Sequence, residues 1–153
     1  MAKDQYIERL RAVPLFESLS KREIGLLVRQ ADNVRFPPRQ HVVREGAAGE
    51  EFWMVVEGEL AVERDGKKVA KLGPGDYFGE LAVIDSAPRS ASVISTTPVE
   101  LLVITRRRFW ATLDQSPTLM RKFIVGLARR LREAEAARSR GAADVSAANG
   151  PTR

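Results

Sequence analysis

A stretch that runs from Gly79 to Ala91 holds the residues best suited to chemistry. Glu80 to Ile84 favour a short helix, and the free N–H groups at a helix start carry partial positive charge that attracts phosphate oxygens. Arg89 adds a planar, permanently charged fork of donors that matches two phosphate oxygens. Glu80 is an acceptor for a sugar hydroxyl. Together these residue types indicate a site for a phosphate joined to a ribose.

Two short helices are predicted ahead of the first strand. Tyr6 and Leu10 lie about one helical turn apart among charged residues, which is typical of an amphipathic helix. Ser20 and Glu23 have the spacing of a capping box, in which each side chain satisfies the other residue's backbone N–H at a helix start. We therefore expect a second helix that ends at about Ala31.

From about Asn33 to Thr105 the chain has the pattern of short β-strands separated by turns. β-Branched and aromatic residues dominate these segments. Asp65-Gly66 predicts a type I′ hairpin turn, which needs a positive φ at both central residues. Short strands that return on themselves predict an antiparallel, eight-stranded, jelly-roll-like β-roll. The predicted fold class is α+β, with a short phosphate-binding helix inside the roll, N-terminal helices before it and two C-terminal helices after it.

The two C-terminal helices have clear start signals. Thr105 is an N-cap residue type, and Ser116-Pro117 combines an N-cap with proline at the first helical position. The last helix is expected to bury an apolar stripe and to end at about Arg138. The stripe consists of Leu119, Met120, Phe123, Ile124, Leu127, Ala128 and Leu131.

The whole chain is predicted to form one domain overall. Composition and periodicity divide it into an N-terminal helical segment, a β-roll, the C-terminal helices and a disordered tail rich in small and polar residues. These parts are residues 1–32, residues 33–105 with the phosphate site at 79–91, residues 106–138 and residues 139–153.

Composition limits the possible functions. The 153 residues include no cysteine, which excludes disulfides and thiol ligands and fits a cytoplasmic location. We expect no transmembrane segment, because no apolar run approaches the roughly 20 residues that span a bilayer. Up to Thr105 there are 14 basic and 16 acidic residues, a net of −2, whereas from Arg106 on there are 11 and 4, a net of +7. The basic end indicates an acidic partner or a solvated, arginine-rich helix face.

Catalytic and metal chemistry have little support in the sequence. His41 is the single histidine, so a zinc site lacks enough ligands and a nucleophile–base pair has only one candidate base. No nucleophile elbow, Walker loop or dinucleotide-binding glycine pattern is present. We therefore expect neither an enzyme nor a metal site.

The stretch resembles the phosphate-binding cassette of the cyclic nucleotide-binding domain, the family that catabolite activators, protein kinase A regulatory subunits and cyclic-nucleotide-gated channels share. The resemblance rests on Gly-Glu-Leu-Ala at 79–82, followed after six residues by Arg-Ser-Ala at 89–91. It extends from roughly Leu15 to Glu135. It implies that Arg89 pairs with a cyclic phosphate and that Glu80 accepts the ribose 2′-OH. The implied ligand-binding residues are Gly79, Glu80, Leu81, Ala82, Arg89, Ser90 and Ala91, with backbone N–H groups completing the phosphate cradle.

Two features of the resemblance concern the base. Ser90 stands where guanine-preferring members tend to carry a hydroxyl, yet serine is also common in bacterial members that respond to cAMP. We expect cAMP to be favoured, with cGMP as the competitor. Where the catabolite activator contacts adenine from its last helix, this chain has Ala134 and Glu135, which departs from the pattern. The candidates that could stack on the purine instead are Arg129, Arg130 and Arg132.

Two functional hypotheses remain open. In the first, the chain is a stand-alone sensor that binds a cyclic nucleotide and transmits occupancy through its C-terminal helices to an unknown downstream protein, or to a second copy along the last helix. No helix-turn-helix DNA-binding domain follows that helix in this sequence. In the second, the fold is a ligand-independent interaction protein whose basic last helix binds nucleic acid, anionic lipid or an acidic protein.

Overall fold

The computed structural model describes residues 3–149, and the side chains of residues 4–141. Within this range the helices lie at the two ends of the chain and the strands lie between them. The helices are α1 (Lys3–Arg11), a 3-10 helix (Pro14–Phe16), α2 (Lys21–Val28), α3 (Arg106–Asp114) and α4 (Pro117–Asn149). The strands are β1 (Asp32–Phe36), β2 (His41–Val43), β3 (Glu51–Glu57), β4 (Leu60–Arg64), β5 (Lys67–Leu72), β6 (Tyr77–Phe78), β7 (Ser92–Ser95) and β8 (Val99–Thr105).

The strands form two four-stranded antiparallel sheets, in the orders β1-β8-β3-β6 and β2-β7-β4-β5. This arrangement confirms the predicted α+β fold with an eight-stranded roll. Strand β6 has only two residues, which pair with Trp53 and Met54 of β3, and the sequence pattern did not predict it. So short a segment has no detectable alternation of polar and apolar residues.

Strands β3 and β8 hold the two halves of the molecule together because both of their faces are buried. In β3, Phe52 and Met54 pack in the core that contains the helices. Trp53 and Val55 of the same strand pack in a second core made of residues from both sheets. Alternate side chains of a strand point to opposite faces, so β3 reads as a continuous apolar run.

The predicted capping box at the start of α2 and the predicted hairpin turn are both present in the structure. Ser20 Oγ accepts a hydrogen bond from the Glu23 N–H at 3.2 Å, and Glu23 Oε1 accepts one from the Ser20 N–H at 2.9 Å, which completes the capping box. Asp65 and Gly66 have φ values of 54° and 77°, as a type I′ hairpin turn between β4 and β5 requires. Helix α2 ends at Val28, slightly earlier than expected.

Helix α4 is longer than the sequence pattern predicted. It was expected to end at about Arg138, with a disordered tail from residue 139 on, but the structure is helical through Asn149. Alanine is the strongest helix former and recurs through this segment, and the next proline after Pro117 is residue 151, so no proline stops the helix before Asn149. Residues 150–153 of the expected tail lie outside the described residues.

Only the first half of the α4 apolar stripe is core. Leu119 and Phe123 are buried against the 3-10 helix and α3. Ile124 and Leu131, which were expected to be buried with them, are exposed to 58% and 64%. Ile124 lies between the buried residues Phe123 and Gly126, so it is on the face of the helix that points away from the core. From Leu131 on, every described residue of the helix is exposed.

The N-terminal helices are attached to α4 by polar contacts. Lys122 Nζ donates to Glu23 Oε1 at 2.9 Å, and Ser18 Oγ donates to the Lys122 carbonyl at 3.0 Å. Burial raises the pKa of Glu23, but hydrogen bonds from Ser20 and Lys122 outweigh burial and leave this pKa below its ordinary value. The Glu23 carboxylate therefore stabilises the fold when it is ionised.

We expect Glu23→Gln to lower the free energy of unfolding by about 1 kcal/mol at pH 7, because it removes the charged partner of Lys122 and weakens the cap. A depressed folded-state pKa gives stability that is present above the unfolded value and lost as the pH falls through the folded value. The difference between the two proteins should therefore shrink below about pH 4. Urea unfolding of both proteins at pH 7 and below about pH 4 measures this difference in the free energy of unfolding.

The matched control is Glu133→Gln, which changes an exposed carboxylate on α4 and should be nearly neutral. An equal loss of stability for Glu23→Gln at pH 7 and at low pH would contradict a role for the ionised carboxylate.

Candidate functional site

The cassette, residues 79–91, connects the two sheets from the end of β6 to the start of β7. Its first part forms consecutive hydrogen-bonded turns and not the expected short helix. The Ala82 N–H donates to the Gly79 carbonyl at 3.1 Å, and the Asp85 N–H donates to the Leu81 carbonyl at 3.0 Å. So few residues cannot offset the cost of nucleating a regular helix. Free N–H groups still lie at the start of these turns, as they would in a helix.

Arg89 is the buried charge of the cassette, with 9% of its surface exposed. Its Nη2 donates to the Glu51 carbonyl at 2.9 Å and to Glu51 Oε2 at 3.2 Å. Its backbone is held as well, because the Arg89 N–H donates to the Ala47 carbonyl and the Gly46 N–H donates to the Arg89 carbonyl, both at 2.8 Å. The loop before β3 therefore holds the main chain of this residue, and the first residue of β3 holds its guanidinium.

Two glycines make room for the guanidinium. A Cβ atom at Gly49 would overlap with Arg89 Nε, and one at Gly79 would overlap with Arg89 Nη1. Gly79 also has a φ of 75°, which other residues rarely adopt, whereas no such strain applies at Gly49. The close approach of two backbone segments thus sets where the charge lies.

A cavity of about 600 Å³ opens beside the cassette. Its walls include every residue that the sequence analysis assigned to ligand binding. These are Gly79, Glu80, Leu81, Ala82, Arg89, Ser90 and Ala91. The structure therefore brings the carboxylate of Glu80 and the guanidinium of Arg89 to one cavity, as the proposed phosphate–ribose chemistry requires.

Strands from both sheets supply the rest of the wall. Val62 of β4 and Leu72 of β5 add apolar surface, which suits the face of a base. Arg64 at the end of β4 also lines the cavity, and its Nε donates to the Ser90 carbonyl at 3.2 Å. Sequence reasoning missed Arg64 and Glu51, because each lies far from the cassette in the chain and no local pattern marks it.

Tyr77 lies at the edge of the same cavity. Burial raises the pKa of its hydroxyl, and the negative charges of Glu80 and then Asp76 add to that increase, whereas Arg130 acts in the opposite direction. Arg130 of α4 is therefore close enough for its charge to act on Tyr77 in the cavity wall. The Tyr77 hydroxyl is therefore neutral at physiological pH.

The three base-capping candidates are not equivalent. Arg130 is half-buried, whereas Arg129 and Arg132 are exposed. None of the three is among the described residues that line the cavity. Base capping therefore stays a prediction, and Arg130 is the candidate whose charge acts on a residue of the cavity wall, Tyr77.

The described residues give little support for a metal site or a membrane-spanning helix. His41 is exposed at the start of β2. Among residues 3–149 there is no cluster of three histidine or acidic side chains that could hold a metal ion. In the same range, no helix combines the length and the apolarity needed to cross a bilayer.

Comparison with known proteins agrees with this geometry. A model of the cyclic nucleotide-binding domain matches residues 33–116. The chain is 30% identical over 131 residues to the cyclic AMP receptor protein of Thermus thermophilus, an alignment that covers 82% of this chain and 61% of that protein. It is 34% identical over 115 residues to the cAMP-dependent protein kinase regulatory subunit of Emericella nidulans, covering 74% of this chain and 28% of that one. The chain thus spans less than two thirds of the length of these relatives.

Solved structures give the same result. The N-terminal domain of a transcriptional regulator from Streptomyces coelicolor superposes with a TM-score of 0.77 at 29% identity, covering 84% of this chain and 94% of that one. The catabolite activator protein of Thermus thermophilus superposes with a TM-score of 0.64 at 30% identity, covering 82% and 62%. With the family model matching more than half of its residues, this chain belongs to the cyclic nucleotide-binding domain family.

Proposed function

We propose that this domain binds a cyclic nucleotide in the cavity beside the cassette, cAMP in preference to cGMP, and that it works as a sensor. Arg89 pairs with the cyclic phosphate, Glu80 accepts the ribose 2′-OH, and backbone N–H groups at the start of the cassette complete the cradle. The names of the two curated relatives, a cyclic AMP receptor and a cAMP-dependent kinase subunit, support cAMP as the ligand.

The observation that carries the proposal is the incomplete hydrogen bonding of the Arg89 side chain. This cation is buried in the wall of a cavity, and within the described residues its Nε has no hydrogen-bond partner. A buried charge and an unpaired donor both cost stability unless an anion compensates them. A single carboxylate, that of Glu51, is paired with it at 3.2 Å. A phosphate in the cavity would add a second anion and further acceptors beside this guanidinium.

Calorimetric titration with cAMP and cGMP tests the proposal directly. The wild-type protein should bind cAMP more tightly than cGMP, and Arg89→Ala should weaken binding by at least the ~1.5–3 kcal/mol of a hydrogen bond to a charged group. Arg121→Ala, which removes an exposed arginine from α4, is the matched control and should leave binding unchanged. Absence of binding by the wild type would remove the proposal.

Gly49→Ala tests whether the position of the guanidinium matters, because it removes no side chain from the cavity wall. The added methyl group overlaps with Arg89 Nε and must displace it, so we expect at least a tenfold loss of cAMP affinity, about 1.4 kcal/mol. Gly73→Ala adds the same group in open space and should bind normally. Equal affinities in the two variants, measured by the same titration, would contradict the role assigned to this contact.

Contacts of the cassette give a route from the ligand to the C-terminal helices. Val83 is fully buried in the core that also contains Phe109 of α3 and Phe123 of α4. Arg106, the first residue of α3, donates from Nη1 to Ser86 Oγ at 2.8 Å. A ligand that rearranges the cassette therefore has differential contacts with which to shift these helices.

We expect saturating cAMP to change the rate of tryptic cleavage at the exposed arginines near Arg138 and Arg140 in α4. Ser86→Ala removes the contact with Arg106 without touching the cavity wall, so it should keep cAMP binding and reduce the effect of the ligand on cleavage. Equal cleavage of the wild type with and without cAMP would exclude coupling through α4.

The surface of α4 favours a protein partner for the signal. Ile124, Val125 and Leu131 expose apolar surface to solvent, which suits a homodimer through this helix or contact with a downstream protein. The second candidate function uses the same helix without a ligand. Its exposed arginines, Arg129 and Arg132 among them, suit nucleic acid, anionic lipid or an acidic protein. A protein that bound neither nucleotide in the titration would favour this alternative.

A further inference from the structure

We propose that the carboxylate of Glu51 makes the phosphate site select singly charged phosphodiesters over doubly charged phosphomonoesters. The inference rests on the proposed function and adds a specificity-determining residue that lies outside the cassette. Glu51 would allow the protein to distinguish a cyclic nucleotide from the 5′-monophosphate that its hydrolysis yields.

The geometry at Arg89 sets up this selection. Glu51 is the first residue of β3, and both of its oxygen contacts with Arg89 are to Nη2, at 2.9 Å from the carbonyl and 3.2 Å from Oε2. Nη1 lies against Gly79 of the cassette, next to the Glu51 carbonyl. The charge of Arg89 is therefore partly compensated before a ligand enters, while one edge of the guanidinium lies toward the cradle.

The charges around the cavity are close to balanced. Arg64 and Arg89 are the positive side chains in its described wall, and Glu80 and Asp85 are the negative ones. The carboxylate of Glu51 adds one more negative charge directly behind Arg89. Backbone N–H groups of the cassette help to compensate one ligand charge, but no additional cation in the described wall is available for a second.

The two classes of ligand differ in the charge on phosphorus. A cyclic phosphate is a diester with a single negative charge at neutral pH, whereas a 5′-monophosphate has a second pKa near 6 and carries about −1.5 to −2. Base and sugar are the same in both. The second charge would lie within a few ångströms of the Glu51 carboxylate, where like charges repel most strongly. By Coulomb's law this repulsion scales with the charge of the ligand, so Glu51 should disfavour the dianion about twice as strongly, in free energy, as the monoanion.

Titration of three adenosine ligands separates charge from ring closure. The ligands are cAMP, 5′-AMP, and the methyl ester of 5′-AMP, which is an open-chain phosphodiester with a single charge. The wild type should bind the methyl ester more tightly than 5′-AMP. In Glu51→Gln, whose side-chain carbonyl can still accept from Arg89 Nη2, this affinity ratio should fall by about tenfold. Affinity for cAMP and for the methyl ester, which carry one charge each, should rise by a smaller factor than affinity for 5′-AMP.

Glu50→Gln is the matched control, because its described hydrogen bonds use only backbone atoms and its side chain is exposed. It should leave the ratio at the wild-type value. A second measurement needs no variant: between pH 7 and pH 5, 5′-AMP gains a proton, so its affinity for the wild type should approach that of the methyl ester.

The outcomes distinguish the two proposals. Absence of cAMP binding by the wild type removes the proposed function and this inference with it. Binding of cAMP with an unchanged ratio in Glu51→Gln removes the inference alone. Equally weak binding of 5′-AMP and its methyl ester by the wild type also overturns it, because ring closure and not charge would then set the selectivity.

Discussion

The site depends on one buried ion contact, that of the Arg89 guanidinium with the backbone and side chain of Glu51. A buried arginine needs both charge compensation and complete hydrogen bonding. The protein compensates the charge in part. It leaves the hydrogen bonding of the guanidinium incomplete, since Nε has no partner within the described residues. Gly49 and Gly79 then confine the group so closely that it has little freedom to move toward a better protein partner. An anion in the cavity is the simplest way to complete these interactions.

That contact requires two segments far apart in sequence to meet, and the roll makes them meet. Glu51 begins β3, which is buried on both faces and is therefore among the most constrained strands of the molecule. The cassette leaves from β6, which pairs with β3, and enters β7 of the opposite sheet. Both ends of the cassette are thus anchored to rigid sheets, and the irregular backbone that binds a ligand is limited to the stretch between them.

The sequence predicted the parts of the structure that depend on local chemistry. The capping box at Ser20, the turn at Asp65-Gly66 and the cluster of cassette residues each depend on a few neighbouring residues, and each is present. Glu51 and Arg64 could not be found in this way, because their roles come from contacts with residues 38 and 26 positions away. The length of α4 was also missed, since an alanine-rich segment suits both a helix and a solvated tail.

The same contacts explain why binding at this site can have consequences elsewhere. Val83 lies between Glu80 and Arg89 in the sequence, yet its side chain is fully buried in the core that also contains aromatic residues of α3 and α4. A cassette that closes on a phosphate moves this side chain or strains the core around it, because close-packed cores do not deform continuously. In the sensor that we propose, the close packing around Arg89 makes the site sensitive to an anion, and the packing of Val83 makes the helices sensitive to the site.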